Sequence, residues 1–243
     1  MMKKVYLTID DAPSEKMNEK LDFLINSGIP AIWFCTGSNL EKRSEIAIKA
    51  IENGFIIGNH SFDHPHFPEL SLESCINQIS KTDLIIKEIY HRAGIKSYPK
   101  YFRFPYGEKK GPKEKTDAIQ RYLKNNGYQR PLFEKIDYKY FHKELDDDVD
   151  WLWTFDTLDW SINADNPIHG IDCVEKVFGR MDENLPEEGR GLQSDSHEII
   201  LIHDHLESSD IFPQIINQFH NKKIQFVYPE EINQYSWTMK SKS

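Results

Sequence analysis

The chain lacks any apolar run approaching the roughly 20 residues that cross a bilayer, so no membrane-spanning helix is expected. It is short of cysteine: Cys35, Cys75 and Cys173 make an odd count of 3 in 243 residues, with no Cys-x-x-Cys spacing. That excludes a disulfide framework and favours reduced, buried thiols. It is short of positive charge: 30 Lys and Arg face 39 Asp and Glu. A net charge of −9 excludes a partner held through phosphate contacts, either nucleic acid or an anionic membrane surface. There is no internal repeat and no low-complexity segment. The start, Met1-Met2-Lys3-Lys4, is basic, but only the five residues 5–9 follow before Asp10. That is too short for the apolar region of a secretory leader, and a cytoplasmic location is the expectation.

What the chain does have is apolar bulk. It is 39% hydrophobic with 14 Phe, 11 Tyr and 5 Trp, enough for a substantial core in one large domain or two small ones. Strand-like runs at 4–9, 31–35, 55–58, 101–104, 149–155, 199–202 and 225–228 alternate with helical spacings at 15–26, 44–52, 71–92, 116–125, 173–184 and 211–221. Gly28 and Gly94 read as helix stops, and Ser71 as a helix start. Strand-then-helix repetition predicts parallel strands joined by helical crossovers. Asp10, His60, Arg103, Asp156 and His203 all fall just after strands. In a β/α barrel those carboxyl ends make one face, and that face carries the chemistry. The rhythm breaks at 108–150. Residues 108–115 are rich in Lys and Glu, and 131–148 carry Phe133, Tyr138, Tyr140 and Phe141 before an acidic run through Asp146. This region is expected to be an insertion over the mouth or side of the barrel.

Adjacent carboxylates such as Asp10 and Asp11 repel, and at the end of a buried strand they call for a cation. His60 and His64, at i and i+4, are expected to face one way from a helical turn, and Asp11 completes a facial set with open positions. Two surface histidines would give the same spacing. With one acid on the metal, Asp10 is free to deprotonate water. Arg103 can hold a carboxylate bidentately, or it can be an ordinary surface ion pair. The turn Pro105-Tyr106-Gly107 can present a backbone N–H to an oxyanion. His203 is a candidate general acid, His205 competes with it, and a satisfied core histidine is the plain alternative. The stretch Asp156-Thr157-Leu158-Asp159-Trp160 offers a carboxylate to keep His203 protonated. Trp160 is an aromatic wall or simple core packing.

Taken together, these residues resemble the polysaccharide deacetylase family, the NodB-homology or carbohydrate esterase 4 group. Thr8-Ile9-Asp10-Asp11, His60-Ser61-Phe62-Asp63-His64, Arg103-Phe104-Pro105-Tyr106, Asp156-Thr157-Leu158-Asp159-Trp160 and Leu201-Ile202-His203 look like its five motifs, in order. Ile9 stands where the family has Phe. The resemblance runs from about residue 4 to about residue 232. It implies an α/β fold, a distorted (β/α)7 TIM-like barrel, as a single catalytic domain over 1–243. It implies metal-dependent removal of N-acetyl groups from a sugar or oligosaccharide. By carry-over, Asp10 is the base, Asp11, His60 and His64 bind Zn²⁺ or another divalent ion such as Co²⁺, and Arg103 positions Asp10. The Tyr106 N–H stabilises the oxyanion, His203 protonates the leaving amine, Asp159 tunes His203, and Trp160 and Leu201 wall the acetyl pocket. The alternatives are the same site acting on a non-sugar amide, formamide or cyclic imide, and a non-catalytic carbohydrate-binding barrel.

Overall fold

The computed structural model describes residues 3–109, 111–131, 133, 135–145 and 147–238. Met1, Met2, Asp146 and positions 110, 132 and 134 of the expected insertion lie outside the described residues. The strands are β1 (Lys4–Ala12), β2 (Ile32–Cys35), β3 (Ile56–Asn59), β4 (Phe155–Asp156), β5 (Glu198–His203) and β6 (Gln225–Phe226). They form one parallel sheet in the order β3-β2-β1-β5-β4, with β6 paired to Lys4 and Val5 at the start of β1.

Alternation along β1 sorts its side chains. Val5, Leu7 and Ile9 pack outward on Met17, Leu21 and Leu24 of helix α1 (Met17–Ser27) and on Ile215 and Phe219 of helix α7 (Phe212–Asn221). Tyr6 joins an inner cluster with Ile32, Phe34, Ile56 and Ile199. Thr8 and Asp10 share that inner face and meet the Arg103 guanidinium. Burial on both faces is what a parallel sheet with helical crossovers requires. The register sets Asp10 beside His203 and Cys35 beside Asn59, so the carboxyl ends align.

The remaining helices are α2 (Gly37–Glu52), α3 (Leu72–Arg92), α4 (Lys113–Asn125), α5 (Lys139–Leu145) and α6 (Val174–Asp182). Ser71 caps α3 by accepting the Ser74 N–H at 3.1 Å. Helix α2 begins at Gly37, ahead of the expected residue 44, because its early turns bend at Arg43 (φ −137°, ψ 41°) and break the apolar period. Gly37 is needed there: a Cβ would lie 2.5 Å from both Phe62 Cδ2 and Thr82 Oγ1.

The expected strands at 101–104 and 149–155 are mostly irregular. Residue 102 makes a single bridge to Asn59, and regular pairing with β5 covers only Phe155–Asp156. The backbone still closes the ring between β3 and β5. The Trp151 N–H donates to Phe102 O at 2.8 Å and the Thr154 N–H to Ile199 O at 2.9 Å. The carbonyls of Trp151 and Leu152 accept instead from Arg103, so a side chain takes ladder positions that a neighbouring strand would use. The result is a parallel β/α ring, distorted at this seam.

The aromatics of the 131–148 region do not form a cover over the mouth. Phe133, Ile136, Tyr138 and Phe141 pack with Ile32, Ile56, Trp151 and Ile199, at the amino ends of the strands. There Glu198 accepts from Lys3 Nζ at 2.6 Å, and from Tyr138 and Thr154 hydroxyls at 2.5 Å each. Phe133, Ile136, Tyr138 and Phe141 plug the bottom of the ring, and Tyr140 reaches its flank, donating to Thr154 O at 3.2 Å. No described helix is long and apolar enough to cross a membrane.

Candidate active site

Asp11, at the carboxyl end of β1, faces His60 and His64 from the loop after β3. Asp11 Oδ1 lies 3.6 Å from His60 Nε2 and 3.2 Å from His64 Nε2, and the three ligand atoms all fall within 4.8 Å of one another. Oδ1 is buried with no hydrogen-bond partner. A buried carboxylate oxygen left that way is costly unless a cation takes it. His60 Nδ1 lies 2.9 Å from Arg103 O, which can only accept, so the proton is on Nδ1 and the Nε2 lone pair faces Asp11. Burial holds His64 down to about 4, against the pull of Asp11, so its imidazole is neutral near pH 7. Burial pushes the Asp11 carboxyl upward, but the His205 hydrogen bond, with the electrostatic pull of the surrounding imidazoles, outweighs it and holds the group far below the ordinary range. Two imidazoles with ring nitrogens turned toward one ionised carboxylate, close together and with an orphaned oxygen, fit a divalent metal.

Asp10 sits beside this trio. Its Oδ1 accepts from Arg103 Nη1 at 2.7 Å, and its Oδ2 lies 3.5 Å from His60 Nε2. Arg103 is fully buried, with Nη1 also donating to Thr8 Oγ1 at 2.8 Å and the guanidinium 4.3 Å from the Phe34 ring centre. Burial lowers its pKa, yet Asp10 keeps the guanidinium a cation.

Across the cavity, His203 ends β5. Its Nδ1 is 3.0 Å from Asp159 Oδ1, and its backbone N–H donates to Asp159 Oδ2 at 3.2 Å. Thr157 Oγ1 donates to the same Oδ1 at 2.9 Å. Burial opposes the charged imidazole, but Asp159, with Asp156 and Asp11 behind it, raises its pKa to about 10. Asp156 makes no direct bond of this kind: it accepts the Leu158 N–H at 2.8 Å and shapes the turn that delivers Asp159.

Non-glycine residues with left-handed backbone gather here: Asp11 (φ 66°), Ser61 (68°), His64 (60°), Tyr106 (57°) and Leu158 (56°). Such conformations cost of order 1–3 kcal/mol each and persist where surroundings over-determine them. Asn59 Oδ1, Ser61 Oγ and Gln78 Oε1 accept the amides of Ser61, His64, Phe62 and Asp63, which fixes the His60–His64 loop.

Comparison with known proteins agrees with this layout. The sequence profile described as polysaccharide deacetylase matches residues 2–131. The chain belongs to the polysaccharide deacetylase family. It is 36% identical over 106 residues to a peptidoglycan-N-acetylglucosamine deacetylase of Bacillus cereus, an alignment covering 43% of this chain and 37% of that protein. A second B. cereus protein of that description is 25% identical over 231 residues, 94% of this chain and 70% of its own length. The crystal structure of a polysaccharide deacetylase from B. cereus superposes with a TM-score of 0.67 at 24% identity, covering 94% of this chain and 93% of that one. The fold is therefore the α/β fold of the deacetylase family.

Of the family positions anticipated from sequence, Asp10, Asp11, His60, His64, Tyr106, Trp160, Leu201 and His203 line one cavity of about 330 Å³. Arg103 and Asp159 stand behind it, bonded to Asp10 and His203. One expectation changes. His60 and His64 lie on a loop, not a helical turn, because side chains rather than a helix ladder satisfy its amides. Of the two carboxylates in the 156–160 motif, Asp159 is the one bonded to His203. Trp153 also lines the cavity and was not anticipated; it packs on Gly107 of the expected turn, where a Cβ (φ 63°) would lie 2.6 Å from Trp153 Cη2. His205, whose Nε2 is 2.7 Å from Asp11 Oδ2, belongs to the cavity too. Its signal was the period of two that extends the strand face from His203.

Proposed function

We propose that the protein is a metal-dependent amidohydrolase that removes N-acetyl groups from an N-acetylated sugar or oligosaccharide. The observation that carries the reading is one cavity in which the Asp10–Arg103 pair, the Asp11–His60–His64 trio and the His203–Asp159 pair meet. Asp11, His60 and His64 would hold the metal, with Zn²⁺ the first choice and Co²⁺ a substitute. The metal supplies Lewis acidity and makes water easier to deprotonate.

Asp10 takes the proton from the attacking water, with Arg103 on Oδ1 holding the carboxylate turned toward the trio. The left-handed turn at Tyr106 presents backbone at the cavity rim, where its N–H meets the developing oxyanion. His203 holds its proton through Asp159 and gives it to the leaving nitrogen. Leu201 and Trp160 wall the acetyl methyl. We read the chain as one catalytic domain carrying an insertion at about 108–150. Pairing of the first strand with the last described strand, β6, supports this.

The test is acetate release from a panel of N-acetylated mono- and oligosaccharides, using metal-stripped protein with and without added Zn²⁺ or Co²⁺. Metal-dependent acetate release is expected. Metal uptake without acetate, together with hydrolysis of a formamide or cyclic imide, would overturn the substrate assignment.

A further inference from the structure

We infer that His205 is a positioning residue of the metal site: it holds the second oxygen of Asp11 so that only Oδ1 is offered to the cation. This rests on the reading of Asp11, His60 and His64 as the metal ligands.

A carboxylate can ligate through one oxygen or two, and nothing in Asp11's own backbone chooses between them. Asp11 is left-handed (φ 66°), and Asn39 Nδ2 holds only its carbonyl, at 3.1 Å. The side chain is divided by its partners. Oδ1 is buried without a hydrogen bond and faces both imidazoles, while Oδ2 lies 2.7 Å from His205 Nε2. A carboxylate only accepts, so Nε2 carries the proton and is not a free donor to a metal in this arrangement.

His205 is anchored through its main chain. Its carbonyl accepts from Lys20 Nζ at 2.9 Å and from Ser209 Oγ at 3.0 Å. The preceding Asp204 is buried, and its Oδ1 accepts from Lys20 Nζ at 2.7 Å and Ser14 Oγ at 2.8 Å while Oδ2 accepts the Ser14 N–H at 2.7 Å. The Asp204 N–H donates to Asp10 O at 2.8 Å. The 203–205 segment is thereby stapled to the 10–14 loop, and alternation turns Asp204 into the core and His203 and His205 toward the cavity. The His205 side chain is 36% exposed, so its removal opens no core void. Partners of this kind, which orient a metal ligand, typically contribute 10–100-fold to metal affinity.

The experiment measures Co²⁺ affinity of metal-stripped wild type, His205→Ala and His205→Gln by competition with a chromophoric chelator, and records the visible spectrum of each Co²⁺ form. His205→Ala is expected to bind about 10–100-fold more weakly. His205→Gln, whose amide nitrogen replaces Nε2–H, recovers most of that loss and keeps the wild-type spectrum, whereas the His205→Ala spectrum shifts because Asp11 Oδ2 is then free to join Oδ1 on the cation. Equal affinity of wild type and His205→Ala overturns the role, as does a spectrum showing that an imidazole ligand has been lost. Nitrogen-15 shifts of the wild-type histidines give an answer that needs no variant. His205 keeps its Nε2 proton on Zn²⁺ loading, and loss of that proton overturns the proposal. Co²⁺ binding without acetate release from any sugar would sink the deacetylase reading and leave His205's role standing.

Discussion

Single side chains in this site act in pairs, and each pair gives a distinct mutant signature. Asp10 is held by Arg103 but is not one of the trio, so Asp10→Asn should cut kcat by about 10²–10⁴-fold while metal content by atomic absorption stays at the wild-type level. His60→Ala should lose metal and turnover together. A near-normal kcat in Asp10→Asn would remove the base assignment. His203 is raised from 6.5 to about 10, mainly by Asp159 working against burial. A group whose folded pKa is raised stabilises the fold fully below its unfolded value and loses that contribution as pH rises through the folded value. Urea stability of the metal-free protein should therefore fall between about 6.5 and about 10, and the fall should be smaller in Asp159→Asn. Nuclear magnetic resonance titration of His203 should show its pKa dropping in that variant; an unmoved pKa would contradict the pairing.

At the level of elements, the site depends on turns more than on strands. The strands end at Ala12, Asn59 and His203, but the chemistry hangs on backbone that has left the β region at Asp11, His64, Tyr106 and Leu158. Gly107 is the tightest of these turns, because its φ of 63° and its approach to Trp153 leave no room for a Cβ. Gly107→Ala should destabilise the protein by about 1–3 kcal/mol and, by moving Tyr106 and Trp153, lower kcat/KM more than metal affinity. Equilibrium unfolding and steady-state kinetics check the two halves. Asp10, His60 and His203 were legible because each sits at or beside the carboxyl end of a strand, where the apolar run stops and a polar residue begins. The loop geometry was not, since His60 and His64 satisfy a helical spacing equally well, and only the amide acceptors Asn59 and Gln78 exclude the helix. His205 was noticed as a rival of His203, but its bond to Asp11 needed the register of β5 against β1.

For the whole molecule, the ring has a working end and a plugged end. Phe141 of α5 is fully buried and packs with Phe133 in the cluster that holds Ile32, Ile56 and Ile199 from the amino ends of the strands, and it is not among the residues that line the cavity. Phe141→Ala should cost about 3–5 kcal/mol in denaturant unfolding yet leave kcat close to wild type at a temperature where the variant stays folded. A large loss of kcat there would mean that the insertion touches the site. The sequence by itself determined the parallel β/α class, the order of the elements and the polar residues at strand ends. Those are properties of local periodicity and of where apolar runs stop. Tertiary structure decided the rest. The seam at 101–104 and 149–155 gave up its ladder because a buried guanidinium took the carbonyls. The insertion's aromatics turned inward because the ring's amino end had apolar volume to fill. The two oxygens of Asp11 acquired different partners because β5 lies beside β1, a long-range pairing that no local pattern encodes.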